Sequence, residues 1–189
     1  MNRMAGRLGD FGWRAFAMLI ATFMGVPLVL VVLFSFNQST LTSLPLTGFT
    51  LDWYRKLFAL GAFWPALSNS LIVAGMVAVL SVAIGTMAAL VLARMAQRRA
   101  EALIAVVSVP MMLPALIIGV AMMSYFVRLI DLPLGLPTVI LGHLVIAQPF
   151  VILIVFSRLA TFDWAVVDSA RDLGASPLRA FMTVTLPII

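Results

Sequence analysis

Apolar residues fall into four long runs that contain no charged side chain, and these runs outline the architecture. They cover residues 15–36, 57–93, 102–127 and 132–157. A helix rises 1.5 Å per residue, so about 20 apolar residues cross the hydrocarbon core of a bilayer. Each run is long enough, and the pattern predicts an all-α, polytopic transmembrane helical bundle with four spans, formed by residues 1–189 as a single transmembrane domain.

The first run follows three arginines, a pattern shared with secretory signal peptides. Its apolar core, however, exceeds the usual 7 to 15 residues, and no small-x-small cleavage site follows it. We therefore expect an uncleaved first span, followed by a long loop outside the membrane that reaches about residue 66.

Composition supports a membrane protein. Of the 189 residues, 63% are hydrophobic and 10% are charged. In soluble domains about 45 to 50% of residues are apolar and about 25% are charged. This composition argues against a soluble enzyme, a disordered tail and a nucleic-acid-binding domain, despite the net charge of +5. The absence of cysteine excludes disulfides, zinc thiolate sites and thiol catalysis.

The distribution of basic residues between loops predicts orientation, because cytoplasmic loops are enriched in Lys and Arg. Only Arg55, Lys56 and Arg128 fall on one side of the predicted membrane. We therefore expect the N-terminus and the segment after the fourth span to be cytoplasmic. The cationic residues on that side are Arg3, Arg7, Arg14, Arg94, Arg98, Arg99, Arg158, Arg171 and Arg179.

Small residues recur every fourth position in the second run, at Ser81, Gly85, Ala89 and Ala93. Such a stripe lets a partner helix approach closely, which predicts an interior position in the bundle. The alternative is that small residues are simply common in transmembrane helices.

The segment 158–187 is too long for an ordinary connector. Asp163 is placed to cap a short helix, and Gly174 is placed to end it, because glycine adopts the left-handed conformation without steric cost. Ser176 and Pro177 then offer an N-cap and a first helical position. The pattern predicts a helix, a turn and a helix projecting into the cytoplasm to dock another protein. The alternative is an amphipathic hairpin lying on the lipid.

This segment resembles the cytoplasmic loop of permease subunits of ATP-binding-cassette (ABC) importers. The loop motif of that family is Glu-Ala-Ala, three residues, Gly, nine residues, then Ile-x-Leu-Pro. Asp and Ser replace the first Glu and Ala here, and the spacing is identical. The matching positions are Asp168, Ser169, Ala170, Gly174, Val184, Thr185, Leu186 and Pro187.

Two further segments, GFTLDWY at 48–54 and LSNSL at 67–71, resemble the spermidine/putrescine (polyamine) permease group. The resemblance implies a fold like that of type I ABC importer permeases, with about six spans, so the chain is expected to be truncated at its C-terminus. It also implies that residues 158–187 form the coupling loop. Asp168, Ala170 and Gly174 would form the docking elbow, and Leu186-Pro187 would begin the next span.

The resemblance implies a transporter subunit rather than an enzyme, in the bacterial inner membrane, carrying a small solute, with a polyamine expected. A phosphate-binding loop needs Gly-Lys-Ser/Thr, whereas the single lysine, Lys56, follows Arg55. ATP and Mg would thus be bound by a partner ATPase, and this chain would hold no cofactor. A second permease subunit, an extracytoplasmic binding protein and lipid would be the other partners. The alternative is an independent four-span scaffold or integral membrane enzyme that ends at Ile189.

Polar residues and prolines within the spans are candidates for the translocation path. His143 and Gln148 lie in the fourth run, about 140° apart on a helix, so they need not face one cavity. An interhelical hydrogen bond is the alternative role for each. Pro110 and Pro114 predict a kinked or broken third span of the kind that lines a passage. We identify no metal cluster and no catalytic triad in the sequence.

Overall fold

The computed structural model describes residues 2–43 and 45–189, with side chains from residue 12 onward, so the side chains of Arg3 and Arg7 lie outside the described part. The chain divides into two compact units, Met1–Ala66 and Leu67–Ile189.

The first unit contains α1 (Asn2–Ser35) and α2 (Asp52–Ala59). Between them the chain folds back on itself through an isolated antiparallel bridge of Asn37 with Phe49. The Gln38 amide donates to the Gly48 carbonyl at 3.0 Å, and the Thr50 amide to the Phe36 carbonyl at 2.8 Å. The expected outer loop is thus an ordered turn followed by a short helix.

The membrane-type helices continue with α3 (Phe63–Ala93), α4 (Gln97–Val107), a 3-10 turn (Val109–Met112), α5 (Ala115–Arg128) and α6 (Leu136–Leu159). Within the described residues, three helical stretches are long and apolar enough to cross a membrane: Gly12–Ser35, Phe63–Ala93 and Leu136–Leu159.

The third predicted span is broken, as its prolines indicated. Pro110 lies in the 3-10 turn and Pro114 directly precedes α5. Proline has no amide hydrogen and disfavours helical geometry in the residue before it, so the two prolines end one helix and start another. The 14 residues of α5 span only about 21 Å, and the remainder of this apolar segment is supplied by α4 and the turn. Four apolar segments thus form the expected all-α transmembrane architecture.

The small-residue stripe of α3 is largely buried and approaches α6 closely at Gly85, which agrees with the predicted close approach of a partner helix. Ser81, Gly85 and Ala89 are buried, and a Cβ on Gly85 would lie 2.6 Å from Cγ1 of Val151 in α6. Only glycine permits this separation. Long apolar side chains elsewhere, such as Val79, Leu116 and Ile154, remain exposed, which suits outer faces that contact lipid.

After α6 the chain forms α7 (Ala165–Asp172), α8 (Pro177–Ala180), a π-helical turn (Phe181–Thr185) and α9 (Leu186–Ile188). The α7 helix packs against the π-helical turn. Ala180 and Thr185 are buried, so this region is a folded structure rather than a loose connector.

Candidate functional site

The candidate site is the helical elbow formed by residues 163–180. Its first helix begins where the sequence predicted, because Oδ1 of Asp163 accepts a hydrogen bond from the Ala165 amide at 3.0 Å. This bond satisfies one of the amide groups that a helix start leaves without a partner.

The bend of the elbow is a glycine-dependent helix end. The Gly174 amide donates to the Arg171 carbonyl at 2.9 Å, and the Ala175 amide donates to the Ala170 carbonyl at 3.1 Å. This pair of bonds defines a Schellman motif, whose glycine takes a left-handed conformation; φ of Gly174 is +91°. A Cβ at this position would meet no atom within 4 Å. The backbone conformation, and not lack of space, therefore requires glycine.

The second helix of the elbow also begins as predicted. The Ser176 hydroxyl oxygen accepts a hydrogen bond from the Arg179 amide at 3.3 Å, and Pro177 occupies the first helical position. From there the chain stays helical to Leu186 and Pro187 in α9. The turn between the two helices is thereby fixed on both sides.

The residues at the motif positions differ in their solvent exposure. Asp168 and Ser169 are exposed and Ala170 is half-buried. The Ser169 hydroxyl donates to the Ala165 carbonyl of its own helix at 2.8 Å, so the serine that replaces the usual alanine needs no outside partner. Asp168 lines a shallow depression of about 410 Å³ whose other lining residues are Arg171, Asp172, Ala175 and Pro177.

Two leucines flank the bend and project from it. Leu173 is 90% exposed and Leu178 is 71% exposed. Exposed apolar side chains of this size are available for contact with another protein or with lipid. The elbow therefore exposes two leucines and a charged depression.

The elbow and the α9 segment after it contact the ends of two long helices. Cζ of Arg94, just after α3, lies 5.5 Å from the ring centroid of Trp164, just before α7. Nε of Arg158 in α6 donates to the Ile188 carbonyl at 3.3 Å. Sequence reasoning used Arg94 only for orientation and missed Trp164. A tryptophan next to a short helix start was the available signal.

The candidate path residues have separate surroundings. His143 is exposed on α6 and lines a cleft between α3 and α6. Gln148 instead lies against α3, with Oε1 at 3.3 Å from the Cβ position of Gly85, and its side-chain nitrogen and oxygen are buried without a hydrogen-bond partner among the described residues. Nδ1 of His143 pairs with the Val139 carbonyl of its own helix at 2.8 Å. Pro110 and Pro114 form the break described above.

Comparison with known proteins gives clear relatives. The chain is 33% identical over 184 residues to the putrescine transport system permease protein PotI of Escherichia coli, covering 94% of this chain and 65% of PotI. It is 30% identical over 185 residues to the spermidine/putrescine transport system permease protein PotC of Escherichia coli, covering 98% of this chain and 68% of PotC. For the spermidine/putrescine transport system permease protein PotC of Haemophilus influenzae the identity is 29% over 174 residues, covering 92% of this chain and 67% of that PotC. No protein-family model matches the chain.

The chain thus spans 65% of the length of PotI. These relatives are transport permease subunits and not enzymes, which confirms the predicted class, and the apolar helices agree with a multi-pass membrane protein. The chain belongs to the family of spermidine/putrescine transport system permease proteins.

Proposed function

We propose that the chain is the permease subunit of an ABC importer in the bacterial inner membrane, and that its helical elbow couples it to a separate ATPase. The observation that carries this proposal is the geometry of the elbow, a fixed bend at Gly174 with exposed leucines on both sides. The names of the relatives, which are transport permeases, support it.

The elbow has the properties of a docking element. Burial of an exposed leucine side chain contributes roughly 1.5 to 3 kcal/mol, so covering Leu173 and Leu178 would favour association. The charged depression around Asp168 would then fix the orientation of the partner, since polar contacts supply specificity more than affinity. In this proposal Asp168, Ser169, Ala170 and Gly174 form the docking surface, and Leu186 and Pro187 lead back toward the membrane.

Energy would come from the partner. The sequence has no phosphate-binding loop around its single lysine, so ATP and Mg would be bound by the ATPase, and this subunit would hold no cofactor. Closure of the ATPase would move the elbow as a rigid body, and packed helices shift between discrete arrangements.

The proposed substrate is a polyamine, the class named in the relatives. His143 and Gln148 on α6, together with the helix break at Pro110 and Pro114, would contribute to the path. A second permease subunit would complete the pore, and an extracytoplasmic binding protein would deliver substrate to the outer loop. The N-terminus would be cytoplasmic, lipid would surround the helices, and no nucleic acid would be involved.

The 189 residues contain no cysteine, so a cysteine introduced here is unique within this segment and allows a direct test. Leu173→Cys in the complete transporter, labelled with a benzophenone maleimide, should crosslink to the ATPase subunit on illumination. Leu41→Cys is the matched control, because Leu41 is also an exposed leucine, at 67%, but lies in the proposed outer loop. Equal crosslinking from both positions, or none from Leu173→Cys, would contradict docking at the elbow.

A further inference from the structure

A cleft of about 590 Å³ separates part of α3 from α6. Its walls are mainly valine and alanine side chains, interrupted by a few polar groups. Those polar groups are Asn69, Ser70 and Ser81 on α3 and His143 on α6. An apolar cavity with a small number of convergent polar groups is the usual form of a small-molecule site.

Ser81 is the first sign that this cleft takes a ligand. Its residue is only 3% exposed, and its hydroxyl has no hydrogen-bond partner among the described residues. Serine in a transmembrane helix ordinarily bonds to the carbonyl four residues earlier, which Ser81 does not do. A buried hydroxyl without a partner is unfavourable, so a donor that enters the cleft would be stabilised there.

His143 adds a second acceptor. A carbonyl oxygen only accepts hydrogen bonds, so the 2.8 Å contact of Nδ1 with the Val139 carbonyl places the ring proton on Nδ1. In the neutral ring Nε2 then has a free lone pair. Because the first nitrogen is held by its own helix, the second is the one available to a ligand, and His143 lines both this cleft and the neighbouring cavity between α5 and α6.

The chemistry of the lining defines the ligand class. The described residues around the cleft include no carboxylate and no cation, only neutral hydrogen-bonding groups and aliphatic walls. Methylene groups suit the walls, and N–H donors suit the hydroxyl of Ser81 and Nε2 of His143. A short aliphatic chain that ends in an ammonium group has both.

We infer that the cleft between α3 and α6 holds the alkylammonium end of a polyamine in transit, with Ser81 Oγ and His143 Nε2 accepting its hydrogen bonds. This inference rests on the proposed function and places a substrate site within the subunit. Neutral acceptors suit a transit site, because a path must bind its substrate favourably enough to admit it and weakly enough to release it. A carboxylate at membrane depth would attract a cation far more strongly.

The test uses the complete transporter in proteoliposomes and measures putrescine and spermidine uptake. Ser81→Ala should raise KM for the polyamine about tenfold, because one hydrogen bond to a charged donor is lost. ATP hydrolysis should stay coupled to uptake. Its matched control is Ser157→Ala in α6. The Ser157 hydroxyl is exposed and already donates to the Ile154 carbonyl of its own helix. The control should leave KM unchanged.

Folding does not confound this comparison. The Ser81 hydroxyl has no partner to lose and is unfavourable where it is buried, so Ser81→Ala should not lower the thermal unfolding temperature. His143→Leu, which removes the acceptor from the other helix, should raise KM in the same direction. A KM for Ser81→Ala and His143→Leu equal to that of Ser157→Ala would overturn the inference. Failure of the wild-type transporter to take up either polyamine would instead refute the proposed substrate, and the inference with it.

Discussion

The guanidinium group of Arg94 lies over the indole ring of Trp164, with Cζ 5.5 Å from the ring centroid. Arg94 follows the last residue of α3, and Trp164 precedes the first residue of α7. Cation–π contacts contribute about 0.5 to 2 kcal/mol, depending on exposure. The contact therefore joins the end of a membrane-type helix directly to the elbow, and offers a route by which movement of the elbow would reach α3.

Replacing Trp164 should loosen this connection. We expect Trp164→Ala to lower the amount of substrate taken up per ATP hydrolysed by about threefold to tenfold, because about 1 kcal/mol of contact energy is lost. Trp164→Phe keeps an aromatic face and should have a smaller effect. Simultaneous measurement of ATP hydrolysis and uptake in proteoliposomes gives the ratio. Arg94→Ala removes the other partner of the contact and should have the same effect as Trp164→Ala. Arg98→Ala, which removes a neighbouring positive charge, is its control, and an equal effect of this control would argue against a specific contact.

Gly174 should tolerate asparagine better than valine. The left-handed conformation costs a residue with a Cβ about 1 to 2 kcal/mol, and asparagine adopts it more readily than a β-branched residue. Space is not limiting, since a Cβ here meets nothing within 4 Å. Gly174→Val should therefore reduce both uptake and the ATPase that copurifies with the complex, and Gly174→Asn should retain most of both. Equal behaviour of the two variants would show that the conformation of the bend does not matter.

The parts of the elbow that sequence predicted are those that depend on local rules. The capping carboxylate of Asp163, the left-handed Gly174 and the Ser176 cap each act on amide groups within a few residues, so spacing alone locates them. The break at Pro110 and Pro114 was predictable for the same reason. The start of α4 at Gln97 was not, because it lies outside the apolar run.

The tertiary contacts could not be derived in this way. Arg94 and Trp164 are far apart in sequence, and neither belongs to a recognisable motif. The stripe containing Gly85 predicted that some helix would approach, but not that Val151 would face it. Ser81 was recognised there as a small residue and not as a polar one. Its unpartnered hydroxyl becomes visible only when α6 is in place.

Asn37 should control the order of the outer segment. It is 1% exposed, and its Oδ1 accepts hydrogen bonds from the amide and hydroxyl of Thr47 at 3.1 and 3.2 Å. Asn37→Ala removes both bonds, and each hydrogen bond of this kind contributes about 0.5 to 1.5 kcal/mol. We expect faster proteolysis of the segment in proteoliposomes. Ser39→Ala, which removes only the bond from the Leu41 amide, is the control, and equal cleavage rates would contradict the role of Asn37.

Orientation in the membrane can be tested with single cysteines. If the N-terminus is cytoplasmic, Leu41→Cys should react with a membrane-impermeant maleimide in intact spheroplasts, and Leu173→Cys should react only after lysis. Both leucines are exposed in this subunit, at 67% and 90%, so accessibility does not separate them when the permease is expressed without its ATPase. The reverse labelling pattern would invert the topology predicted from the arginine distribution.

Two glycines of α3 provide a matched test of its packing against α6. Glycine costs about 1 kcal/mol relative to alanine inside a helix, so Gly75→Ala, whose Cβ meets nothing within 4 Å, should stabilise the protein. Gly85→Ala should destabilise it, because the new Cβ would lie 2.6 Å from Cγ1 of Val151, and relief of such overpacking costs about 1 to 3 kcal/mol. Thermal unfolding in detergent measures both. Val151→Ala should relieve the clash, so the double variant Gly85→Ala with Val151→Ala should be less destabilised than the two single effects predict when added. Additive effects would mean that Gly85 and Val151 do not meet.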